Sequence, residues 1–121
     1  MGDHMTAPNI LAATTHYSKT VVLVVTTSAT AILTNAGSSN KVLRVNGLWI
    51  SNVDGTNAAD ITIDLYRSAT AYHLAKTISV PADSTIDFLS KTLALEEGDS
   101  LRLTASADGD LQAVCSYEEI S

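Results

Sequence analysis

A chain of 121 residues, 45% of them hydrophobic and with a mean hydropathy of +0.16, reads as one globular domain able to bury its own core. Seven basic against thirteen acidic residues leave a net charge of −6. That balance argues against nucleic-acid binding and against docking on anionic membranes, because both depend on clustered Lys and Arg.

Other classes are disfavoured by local sequence. The longest strictly apolar run, Val21 to Val25, is too short to span a bilayer, and no stretch has the layout of a signal peptide. The single cysteine, Cys115, excludes an intramolecular disulfide framework. Small residues dominate, with 16 Ala, 15 Thr and 13 Ser against one Phe, one Trp and four Tyr. That composition suits a thin two-sheet sandwich.

Along the chain, residues 1–4 read as a cloning remnant and residues 5–19, broken by Pro8 and Asn9, as a flexible N-terminal arm. The segment TVVLVVTT (20–27) is continuous and β-branched, as in a strand buried on both faces or lying in a subunit contact. ATAILT (29–34) follows, then the turn NAGSSN (35–40). In KVLRV (41–45) Leu43 and Val45 share a face, but the next apolar residues, Leu48 and Ile50, have the opposite parity. A β-bulge at Asn46-Gly47 restores a common face and turns Trp49 away from the core.

After a polar loop (51–60), ITIDLY (61–66) alternates with Ile61, Ile63 and Leu65 inward. AYHLAKTISV (71–80), TIDFLS (85–90), TLAL (92–95), SLRLTAS (100–106) and LQAVCSYEE (111–119) complete the set, with a hairpin expected at ADGD (107–110). A helix over 82–93, with Ser84 as N-cap, is the nearest rival, but its Thr and Ile content favours strand. The expectation is a single all-β domain over 20–121, a two-sheet antiparallel β-sandwich of eight or nine strands with Greek-key or jelly-roll-like connections.

The chain offers little catalytic chemistry. His16 lies in the arm, His73 alternates on a strand facing solvent, and no nucleophile elbow is present. Cys115 sits at an inward position with no neighbouring cation to activate it. Asp54, Asn57 and Asp60 form the best candidate for a calcium loop, yet the pattern matches ordinary turn chemistry. The acidic turns Glu96-Glu97-Gly98-Asp99 and Asp108-Gly109-Asp110 read as solvated turns. No metal, cofactor or catalytic residue is therefore assigned, and the chain is expected not to be an enzyme. Trp49 and Tyr66, outward on separate strands, together with Val21, Val22 and Val24, are the candidate contact residues. Of the available aromatics Trp49, Tyr17, Tyr66, Tyr72 and Tyr117, the outward pair Trp49 and Tyr66 could alternatively form a sugar-stacking platform.

The strings WISNVDGTNAADITIDLY (49–66), TISVPADSTIDF (77–88), LALEEGDSLRLTASADGDL (93–111) and SYEEIS (116–121) resemble a family of small virion proteins from tailed bacteriophages of marine and cyanobacterial hosts. The resemblance covers a little over half the chain. It implies a structural role as a head-decoration, neck or tail component, assembled in the bacterial host cytoplasm and residing in the virion. Other virion proteins and further copies of the chain are the implied partners. A carbohydrate-binding module for host-surface recognition, with glycans as ligands, is the alternative.

Overall fold

The computed structural model describes residues 10–121; the expected cloning remnant and residues 5–9 of the arm lie outside the described residues. A short 3-10 turn (Ile10–Ala12) precedes nine strands: β1 (His16–Val24), β2 (Thr30–Thr34), β3 (Val42–Asn52), β4 (Ala59–Arg67), β5 (Thr70–Val80), β6 (Thr85–Asp87), β7 (Leu93–Leu95), β8 (Ser100–Ala105) and β9 (Leu111–Ile120). They form two antiparallel sheets. Sheet A runs β1-β9-β3-β6, with β7 also on β3, and sheet B runs β2-β8-β4-β5. The chain crosses between the sheets at most connections, as in a jelly roll.

Alternation explains which residues meet between the sheets. Ile61 and Ile63 of β4 pair with Ala105 and Leu103 of β8, and Leu48 and Ile50 of β3 pair with Cys115 and Ala113 of β9. All eight are buried and belong to one core cluster that includes Leu95, Leu101 and Leu111. The β3–β9 register slips between Val45 and Gly47, so Asn46 is the extra residue and the expected bulge is present. Leu43 and Val45 before it and Leu48 and Ile50 after it consequently share the inner face.

Four expectations need correcting. First, β1 begins at His16, not Thr20, because Thr14 and Thr15 both donate to the Ser121 carbonyl and Ser121 donates back to Thr15, which zips the start of β1 against the end of β9. Residues 16–19 are therefore strand, not arm. Second, the apolar run of β1 is not buried on both faces. β1 pairs with β9 alone, and it forms the edge of sheet A. Third, Asp108-Gly109 is not a hairpin turn. β8 and β9 lie in different sheets, and Asp108 instead accepts the Thr27 N–H at 2.7 Å, tying one sheet-crossing corner to another. Gly109 supplies the positive φ of 82° that the corner requires. The tight β4–β5 hairpin turns at Ser68 and Ala69, which adopt φ of 51° and 60° without a glycine. Fourth, the turn at 96–99 is solvated only at Glu96 and Gly98, whereas Glu97 and Asp99 are buried, for reasons given below.

Candidate functional site

On sheet A, the residues that alternate with the core form an outer face. Val22 of β1 stands opposite Val114 of β9, and Val114 stands opposite Trp49 of β3. This row crosses three strands and is open to solvent: Val22 is 69% exposed, Val114 37% and Trp49 37%. Val24, also exposed, flanks it, and an open depression lies at the β1–β9 seam, lined by Val22, Leu23, Val24, Gln112, Ala113 and Val114. Three neighbouring apolar side chains on an outer face are unlike the polar outer face usual for a solvated sheet.

The bulge sets the pose of Trp49. It places Gly47 two residues before the indole on the same face, and the ring lies across the glycine backbone so closely that a methyl group there would overlap it. Gly47→Ala is therefore expected to swing the ring outward while leaving the inner face intact. Steady-state fluorescence checks this: emission should shift to the red and become more readily quenched by iodide. An unchanged spectrum would mean that the indole is not seated on Gly47.

Of the sequence candidates, Trp49, Val22 and Val24 come together on this face. Val21 faces the sandwich interior and is half-buried. Tyr66 is elsewhere. Its parity on β4 puts it on the outer face of sheet B, where the Arg102 guanidinium stacks 3.9 Å from its ring centroid. Arg102 also donates to Asp64 at 2.9 Å. Trp49 and Tyr66 thus occupy opposite outer faces of the sandwich, so the expected shared aromatic patch does not exist.

The titratable candidates do not converge on one site. His16 Nε2 lies 3.3 Å from Glu118 on β1 and β9, whereas His73 is exposed on β5 of the other sheet. Burial pushes the Cys115 thiol up to about 11, which keeps it protonated and inert near neutrality. Asp54 Oδ1 accepts the N–H groups of Thr56 and Asn57, and these bonds hold its carboxyl below the ordinary value. Among the described residues no group of three or more His, Cys, Asp or Glu is placed to hold a metal ion.

Sequence reasoning missed the polar framework at the opposite end of the sandwich from these aspartate loops. Glu97 and Asp99 are buried. Glu97 accepts the Asn40 N–H at 2.5 Å, and Asp99 takes Arg67 in a two-point bond at 2.7 and 2.6 Å, which keeps the guanidinium firmly charged. Asn35, also buried, donates to the carbonyls of Lys41 and Leu95. Asn52 plays the same part nearer the other end, donating to the Asn57 and Val80 carbonyls. Among the described residues every buried side-chain nitrogen and oxygen is hydrogen-bonded.

Glu119 of β9 ties β1 to Lys41, the residue just before β3. Lys19 and Lys41 each approach it at 3.2 Å. Partial burial alone would raise its pKa, but the bonds from Lys41 and Lys19 outweigh that and lower it. A carboxylate whose folded pKa is depressed stabilises the fold above its ordinary value of 4.5, and that contribution is lost as pH falls through the folded value. Both lysines are well exposed, so the contribution is about 1 kcal/mol at most. Glu119→Gln should therefore lower the melting temperature by roughly 4 °C at neutral pH and by nothing in strong acid. Thermal melts across that range check it; a difference that persists in acid would contradict the ion-pair account.

No protein-family model matches this chain, and no curated protein sequence matches it. Among solved structures it is similar to a chain of the Bacillus endospore appendages, described as a novel family of disulfide-linked pili. The match covers 98% of both chains with a TM-score of 0.54 and 15% sequence identity. At that identity the likeness shows a shared fold.

Proposed function

We propose that the protein is a non-enzymatic structural subunit that works by contact with other subunits, and that its setting is the bacteriophage virion, as a head-decoration, neck or tail component. The observation that carries the reading is the apolar row Val22–Val114–Trp49 across the outer face of sheet A, since exposed apolar patches with aromatic anchors mark contact surfaces. The fold likeness to a chain from pili supports an assembly role. The sequence resemblance to small phage proteins supports the virion setting. Those pili are disulfide-linked, whereas Cys115 here is the only cysteine and is buried, so contacts through this chain would be non-covalent.

Mass spectrometry of purified particles of the encoding virus tests the setting. The chain should be present at structural copy number, and absence from particles would overturn the virion reading. Trp49→Ala tests the surface: particles supplied with this variant should carry several-fold fewer copies, while the isolated variant still melts cooperatively. Loss of the fold itself would place Trp49 in the core instead. The carbohydrate-binding alternative loses its two-aromatic platform, because Tyr66 lies on the other sheet from Trp49, stacked on Arg102. Quenching of Trp49 fluorescence by simple sugars would revive it.

A further inference from the structure

We propose that the outer face of sheet A receives an arginine side chain from another protein, with the guanidinium lying on Trp49 and forked onto Asp87. The inference rests on the subunit reading above and names the group that the contact surface takes.

The apolar row does not stop at Trp49. Asp87 of β6 stands directly opposite Trp49 of β3, so the row runs on to a carboxylate. It crosses the four strands β1, β9, β3 and β6 in the order Val22, Val114, Trp49, Asp87. Residues directly opposed on antiparallel strands share a face, with Cβ atoms about 5 Å apart. Asp87 is exposed, and its Oδ1 accepts the Leu89 N–H at 3.1 Å. Among the described residues no cation pairs with it. The cations that lie over aromatic rings among the described residues are Lys19 on Tyr17 and Arg102 on Tyr66, so the chain sets none over Trp49.

The opposite sheet joins the same kinds of group through an arginine. Asp64 and Tyr66 share the outer face of β4. Arg102 lies 3.9 Å from the Tyr66 ring centroid, while its Nε and Nη2 donate to Asp64 at 2.9 and 3.3 Å. A planar guanidinium suits both contacts at once, because it stacks on an aromatic face and donates in parallel to a carboxylate. Trp is the best of the aromatic side chains for this stacking. The Trp49 ring is seated against Gly47 and stays 37% exposed.

The order of groups along the row selects arginine over lysine. Neighbouring strands lie about 4.8 Å apart, so Val114 and Asp87 are about 10 Å apart across β3. An arginine entering above Val114 packs its aliphatic stem on the valine and carries its charged head over Trp49 toward Asp87. A lysine ammonium is a compact, strongly hydrated charge that cannot fork onto a carboxylate. The arginine comes from a different protein, because all three in this chain are engaged: Arg44 with Glu118, Arg67 with Asp99 and Glu96, and Arg102 with Asp64. A second copy could present one only by breaking an ion pair of its own fold. The net charge of −6 also favours a cationic partner.

Trp49 is the only tryptophan, so its fluorescence in the full chain reports on this site. N-acetyl-arginine amide should change the emission saturably in the millimolar range, less so as salt is raised. N-acetyl-citrulline amide, with an uncharged urea in place of the guanidinium, should bind at least about fivefold more weakly. Asp87→Asn keeps an acceptor for the Leu89 N–H and removes the charge; it should melt like the parent and lose the preference for arginine. Asp83→Asn, in the turn between β5 and β6, should leave that preference unchanged. If Asp87→Asn fails to fold, the comparison of arginine with citrulline decides alone. No response to arginine, an equal response to citrulline, or an undiminished preference in Asp87→Asn would overturn the proposal. Should Trp49→Ala deplete the chain from particles while arginine does not bind, the contact surface stands and this occupant is wrong. Arginine binding by a chain absent from particles would keep this site and overturn only the virion setting.

Discussion

Asp99→Ala is expected to lower the unfolding free energy by about 3–5 kcal/mol, the cost of breaking a buried ion pair by removing one partner. The Asp99 side chain is 1% exposed and satisfies three donors: Arg67 Nε, Arg67 Nη2 and the Glu96 N–H. Alanine leaves the Glu96 amide without its acceptor and the guanidinium without its fork. Arg67 is partly exposed and can recover water, which places the loss toward the lower end of that range. The damage should spread, because the Asp99 carbonyl accepts from Asn35, and Gly98 donates back to the Asn35 carbonyl. Asn35 in turn anchors the β2–β3 turn to Lys41 and Leu95. Asp99→Asn, which keeps shape and an acceptor, should cost clearly less. Urea unfolding of both variants checks the order, and equal losses would mean that the charge contributes nothing.

That cluster also marks where sequence reading stops. Glu96-Glu97-Gly98-Asp99 has the composition of a solvated turn, and only its partners say otherwise. Asn40 is 57 positions from Glu97, and Arg67 is 32 positions from Asp99. Burial of a charge depends on distant residues that a local window cannot register. The same holds for β1. A run of Val and Leu is equally consistent with a strand covered on both faces and with an edge strand whose outer face is apolar, and the choice depends on pairing with β9 at the far end of the chain. Trp49 and Tyr66 were each legible as outward by alternation. Their separation was not, because β3 and β4 are consecutive yet belong to different sheets. Local periodicity, by contrast, carried real information. Ile61 and Ile63 are buried as their alternation requires, and the parity change after Val45 located the bulge to Asn46-Gly47, of which the register makes Asn46 the extra residue.

The bulge also makes a deletion more damaging than most substitutions. Removing Asn46 should unfold the protein or leave it with only a small fraction of its stability. Without the extra residue β3 must keep one parity along its length, so either Leu43 and Val45 or Leu48 and Ile50 turn out of the core. All four are buried, and each large aliphatic side chain brought back to water loses roughly 1.5–3 kcal/mol, or about 3–6 kcal/mol for a pair. A domain of this size has about 5–15 kcal/mol in total. Trp49 makes the choice visible. If the second half of β3 flips, the indole turns inward and its emission shifts to the blue; if the first half flips, Trp49 keeps its place and Arg44 is driven against the core. Asn46→Ala retains the residue count, and because Asn46 is exposed it should melt within about 0.5 kcal/mol of the parent. Circular dichroism melts of the deletion and the substitution separate the two effects. A deletion that melts like the parent would show that the register of β3 is not fixed by its inner face.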